Sequence, residues 1–165
     1  MPTIKPCLWF DATGEQAAEF YCGIFPNSKI TAVSRYGEEG KEHHGKAPGT
    51  AMMVEFTLDG QAFQALNGGP NFTIDEAVSF SISTKNQEET DHYWDHLSAD
   101  GGAESMCGWL KDKFGVSWQV VPEPFVEMMK KGDPDQQRRV MQAVFTMKKL
   151  NIKALEAAFE GERND

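Results

Sequence analysis

Residues 50–70, TAMMVEFTLDGQAFQALNGGP, alternate apolar and polar side chains on both sides of Asp59-Gly60. A period of two places Val54, Phe56 and Leu58 on one face of an extended chain. Asp-Gly supplies the positive φ angles that a two-residue hairpin loop demands. A β-hairpin with one buried face is therefore expected. An isolated hairpin is marginal in water, so other strands and a helix must complete it.

The flanking sequence offers those elements twice. Upstream, IKPCLWFDA reads as a short aromatic strand. TGEQAAEFYCGIF follows, with Ala17, Phe20, Tyr21, Ile24 and Phe25 at helical spacing and Pro26 as the stop. SKITAVSRYG is a second strand, and GEEGKEHHGKAPG is a polar, Gly-rich loop. Downstream the pattern restarts. AVSFSIST is a strand, and NQEETDHYWDHL is a helix capped by Asn86 and Glu89, with Tyr93, Trp94 and Leu97 on its apolar face. A short run around AESMCGWL, the turn KDKFG and the strand VSWQVV complete it. Tyr21 and Tyr93 fall at matching points, 72 apart (93 − 21). Each half reads βαβββ, an organisational repeat.

The tail changes character. PEPFVEMMKKG is helical. Asp133 as N-cap with Pro134 at the first position starts a further helix. Asn151 caps a last one, with Ile152, Leu155, Ala158 and Phe159 as its apolar face and Gly161 as its stop. These helices are expected to pack on the body or on a partner subunit.

Composition narrows the function. The chain has 165 residues and a formal charge of −9, without a basic stripe, so nucleic acid is excluded as a partner. No apolar run approaches a bilayer span and no signal peptide is visible, so a membrane partner is not expected. Three cysteines, Cys7, Cys22 and Cys107, make an odd number without CxxC spacing. That points to a reducing cytoplasm rather than a disulfide framework.

The blocks CLWFD…AAEFYCGIFPNSKI, FQALNGGPNF, SFSIST…QEETDHYWDHLS and CGWLKDKFGVSWQVVP resemble the PhnB-like proteins. These carry a demethylubiquinone methyltransferase label. They belong to the vicinal oxygen chelate superfamily, with glyoxalase I, bleomycin-resistance proteins and extradiol dioxygenases. The resemblance covers roughly residues 4–160. It implies an α+β fold of two βαβββ modules, 1–70 and 71–122, that form a concave mixed-sheet pocket. A C-terminal helical extension, 123–165, follows, and the whole makes one structural domain. It also implies a homodimer.

Metal-dependent members of that superfamily place a His or Glu on each of four strands. On the last strand, Gln119 stands where the Glu would be, and an amide is a weak ligand for zinc, nickel or iron. The first-strand point falls near Ile4, and its neighbours Lys5 and Pro6 are no better. Residues 77–82 hold no His, Asp or Glu, and the first hairpin offers Gln64, Ala65 or Asn67. No metal and no cofactor are expected. His92 and His96 are four apart on a helix, but they flank its apolar face and read as a surface pair. His43 and His44 read as solvated loop residues.

Residues 107–119, CGWLKDKFGVSWQ, form the penultimate strand, its turn and the final strand in this scheme. Trp118 then belongs to the core if Gln119 faces the cavity. Trp109 is either a stacking platform or core. Cys107 beside Lys111 is a buried thiol or, with a lowered pKa, a nucleophile. LNGGP lacks the context of a phosphate loop and reads as a turn. A small-molecule ligand is expected to meet Gln119, Asn67, Trp109, Cys107 and Lys111, together with Leu8 and Phe10 on the first strand. These residues favour a metal-free pocket that binds or converts a small organic molecule. The alternatives are a metal-dependent lyase, isomerase or dioxygenase, a structural or regulatory dimer, and a methyltransferase. The last lacks the Gly-rich nucleotide cradle of a Rossmann-like sheet.

Overall fold

A computed structural model describes residues 2–161. The first unit runs to Ile74 and the second begins at Asp75. In the first, β1 (Cys7–Phe10) leads to α1 (Gly14–Ile24), β2 (Lys29–Arg35), the single turn α2 (Lys41–His44), β3 (Ala51–Leu58) and β4 (Gln61–Asn67). The expected hairpin is β3–β4, with Leu58 opposite Gln61 and both turn residues at positive φ, 44° at Asp59 and 81° at Gly60. The sheet order is β1-β4-β3-β2, with β1 parallel to β4 and the other pairs antiparallel. Helix α1 covers one face and buries Ala17, Ala18 and Tyr21 against Val54, Phe56 and Phe63. The polar loop is not wholly irregular. Residues 41–44 close one turn between Gly40 and Gly45, both left-handed, and the His44 ring lies 4.3 Å from that of Tyr36.

Because the Asp59-Gly60 turn requires positive φ, Gly60→Val should lower stability by about 1–2 kcal/mol. Nothing crowds the site, so the cost is conformational. An unchanged melting temperature would contradict it.

The second unit repeats the plan. β5 (Ser79–Thr84), α3 (Gln87–Leu97), β6 (Ala103–Glu104), β7 (Trp109–Lys111) and β8 (Ser117–Pro122) give the order β5-β8-β7-β6, with β5 parallel to β8. The repeat is βαβββ in both units, but the helical match is shifted by one residue. Tyr21 and Ile24 of α1 correspond to Trp94 and Leu97 of α3, 73 apart (94 − 21), and all four are buried. Tyr93 sits beside that face, half-buried. Asn86 caps α3 by accepting from the Glu89 N–H, and Glu89 reaches back to the Lys85 N–H. Both His92 and His96 are exposed.

Three helices complete the second unit: α4 (Glu123–Lys131), α5 (Pro134–Val144) and α6 (Ile152–Glu160). Asp133 and Gln136 form a reciprocal capping box on α5. Asn151 caps α6, which ends at left-handed Gly161. Val140, Val144, Leu150 and Leu155 make a core of their own, and Phe125, Met128 and Phe159 pack against it. This cluster is anchored on its own module. The N–H groups of Cys107 and Gly108 donate to the carbonyls of Met147 and Lys148, each at 2.8 Å. Gln87 bridges the Leu150 carbonyl and the Ile152 N–H. Among the described residues, no helix is long and apolar enough to cross a membrane.

Candidate functional site

Strand β8 sorts its side chains in two. Trp118 and Val120 are buried on the helix side, where the Trp118 ring meets Phe80. Ser117 and Gln119 point to the opposite, helix-free face. The register sets their neighbours: Ser117 lies between Ser79 and Lys111, and Gln119 between Ser81 and Trp109. The hairpin that presents them is locked by Asp112, 3% exposed. One carboxylate oxygen accepts from the N–H groups of Phe114 and Val116, at 2.8 and 3.1 Å. The other accepts from the Trp118 indole N–H at 2.8 Å. Gly115, at φ 87°, completes the turn.

A cleft of about 460 Å³ is lined by Trp109, Lys111 and Ser117 from the helix-free face, with Glu76, Glu104 and Ser105 among its other walls. Its charges are paired internally. Lys111 holds Glu76, which keeps that carboxyl below the usual range. The Trp94 indole N–H and then Lys148 do the same for Glu104. Two groups stand apart. The Ser117 hydroxyl is buried, yet it has no hydrogen-bond partner among the described residues. Buried hydroxyls are normally satisfied, so this is an unmet demand. Trp109 is the second. The indole N–H groups of Trp9, Trp94 and Trp118 each donate to an oxygen, whereas that of Trp109 has no partner among the described residues. Gln119 is partly committed, since its Nε2 donates to Ser79 Oγ at 2.9 Å.

Of the residues expected to meet a ligand, Trp109 and Lys111 line this cleft, and Gln119 adjoins it in register with Trp109. Four others lie elsewhere. Leu8 and Phe10 are buried on the helix side of β1, because alternation turns Cys7 and Trp9 to the other face. Asn67 is 1% exposed and spent on the fold: its Oδ1 accepts from the Gly14 N–H and its Nδ2 donates to the Ala51 carbonyl. Cys107 packs into the C-terminal helical core. Its backbone is left-handed, at φ 61°, because the bonds to 147–148 hold the chain there. Alternation along the last strand sets Ser117 on the Gln119 face, but sequence reading singles out neither Ser117 nor Glu76 as a site residue. A serine in a strand carries no signal of its own, and Glu76 is drawn in only by the turn before β5.

The strands on which the resemblance implies ligand points are β1, β4, β5 and β8. Ile4, the residue nearest the first-strand point, lies before β1 and is exposed, and Cys7, the first residue of β1, pairs with Gln64. Ser81 and Gln119 pair in the same way in the second unit. The first unit thus offers a thiol and an amide at these positions, and the second a hydroxyl and an amide. Although Cys7 is exposed, partial desolvation raises its thiol, which disfavours the thiolate a metal needs. Gln64 donates to Glu55, which Lys5 also holds. Among the described residues, no three His, Cys, Asp or Glu side chains converge as a metal site. Neither unit's pair is a donor set suited to a divalent transition metal.

The model of the family described as 3-demethylubiquinone-9 3-methyltransferase matches residues 2–121. The chain belongs to this family. Helices α4–α6 lie beyond the matched segment. A Bacillus cereus member described as a PhnB protein is 34% identical, with TM-score 0.65, and the match covers 73% of this chain and 99% of that one. A protein from Pseudomonas aeruginosa is 20% identical, with TM-score 0.60 and 74% and 98% coverage. The fosfomycin resistance protein FosX of Listeria monocytogenes, in complex with manganese(II) and sulfate, shares the fold at 14% identity and TM-score 0.53, with 79% and 96% coverage. The fold is thus that of the vicinal oxygen chelate superfamily. No curated protein matches the sequence. The turn after β1, where a nucleotide cradle would open in a Rossmann-like sheet, is closed in this family member. The Gly14 N–H is taken by Asn67.

Proposed function

We propose that this protein binds a small organic molecule, without a metal ion, in the cleft of the second unit. The observation that carries the reading is the buried Ser117 hydroxyl, which lacks a partner at the floor of a cleft walled by Trp109. A pocket with an aromatic wall and a few convergent polar groups is the usual form of a small-ligand site. Trp109 supplies area, Ser117 and Lys111 supply hydrogen bonds, and Gln119 borders the site. The reading leaves catalysis aside: among the described residues of the cleft, no hydroxyl nucleophile is hydrogen-bonded to a base. It sets the protein in a reducing cytoplasm as a homodimer, the first supported by three free cysteines and the second by the family resemblance.

A panel of two-ring aromatic compounds, screened by thermal shift and followed by calorimetry, tests it. Affinity should be equal in chelator and after addition of zinc, nickel, manganese or ferrous iron. Trp109→Ala should weaken binding by about tenfold, the scale of one lost aromatic contact. Binding that depends on a stoichiometric metal would replace this reading with the metal-dependent one.

A further inference from the structure

The cleft also carries information about what it would take. Lys111 and Ser117 are directly opposed on neighbouring antiparallel strands, so their side chains share one face a few ångströms apart. Lysine only donates hydrogen bonds, and the serine hydroxyl can donate as well. A ligand group that meets both must therefore be an acceptor, and beside an ammonium an anionic oxygen is the favoured one. The ammonium already has such an acceptor, the Glu76 carboxylate, from the turn that precedes β5. The Glu76 side chain is 63% exposed and that of Lys111 38%. An ion pair so open to water contributes little, so exchanging one carboxylate for another costs little. A carboxylate seated deeper would keep the ammonium and add the Ser117 hydroxyl. A cationic ligand is disfavoured, since both cleft carboxylates are already held by donors. The Trp109 indole adds a flat apolar wall, beside Ala103 and Leu110.

On this basis we infer that the cleft selects planar aromatic carboxylic acids, and that Glu76 is an internal stand-in for the ligand carboxylate on Lys111. The inference rests on the reading of the cleft as a ligand site and adds the ligand class and a competing side chain. It has an unusual consequence: removing a cleft residue improves binding. Glu76→Gln frees the ammonium, whereas Lys111→Met removes the feature that favours an acid.

The test compares 2-naphthoate with its neutral isostere 2-naphthamide by calorimetry, on wild type and variants whose unfolding transitions are first shown to be intact. Wild type should bind the acid about tenfold more tightly than the amide, the scale of one charge-assisted hydrogen bond. Glu76→Gln should tighten the acid about three- to tenfold and leave the amide unchanged. Lys111→Met should abolish the preference, and Ser117→Ala should weaken the acid several-fold. Equal affinity for acid and amide would overturn the ligand class and leave the ligand site standing. So would a Glu76→Gln protein that binds the acid less well. Failure of wild type and Glu76→Gln to bind either compound would count against the site itself.

Discussion

Asp112→Ala should lower the unfolding free energy by about 3–5 kcal/mol, because it orphans three buried or half-buried donors at once. The carboxylate accepts from the Phe114 and Val116 N–H groups and from the Trp118 indole. Water cannot replace those bonds at a residue 3% exposed. Asp112→Asn separates the contributions. Its remaining oxygen can still serve the two backbone donors, while its NH2 would face the indole N–H, donor against donor. Roughly half of the loss is then expected. Urea denaturation followed by tryptophan fluorescence measures both. A loss below about 1 kcal/mol in the alanine variant would show that the turn holds by backbone geometry alone. Since the same hairpin presents Trp109, Lys111 and Ser117, ligand affinity should fall wherever the turn is frayed.

Asp112 also shows what the sequence could reveal. An Asp three residues before a Gly is a recognisable turn signal, so the hairpin itself was legible. The Asp59-Gly60 turn, the Asp133-Pro134 start and the Asn151 and Gly161 limits were legible for the same reason: each depends on neighbours in the chain. What escaped was settled by distance in sequence. The facing of β1 follows from its register with β4, more than fifty residues on, so Leu8 and Phe10 read as pocket residues although they are core. Cys107 looked like a companion of Lys111, four residues away, yet its surroundings come from residues 125–159. The cleft was half-legible. Trp109 and Lys111 stand out by type, whereas Ser117 matters only because nothing reaches its hydroxyl.

Asn67 offers the clearest separation of fold from ligand. Asn67→Ala should cost about 2–4 kcal/mol, since it strands the Gly14 N–H and the Ala51 carbonyl and leaves a small cavity. The partner glycine is tied to the same side chain. A Cβ at Gly14 would lie 2.8 Å from Asn67 Oδ1 and 3.2 Å from the Ala65 Cβ. Gly14→Ala should therefore destabilise by about 1–3 kcal/mol through overpacking. The two effects are not independent. Once Asn67 is truncated, the nearest obstacle to that Cβ is gone and the buried amide is already orphaned. The double variant should be less destabilised than the sum of the singles, by about 1 kcal/mol or more. Strict additivity would mean that Gly14 is constrained by Ala65 instead. Throughout the cycle, the folded fraction should keep the affinity of the Trp109 cleft unchanged. A ligand that weakened in step with Asn67→Ala would return that amide to the binding site.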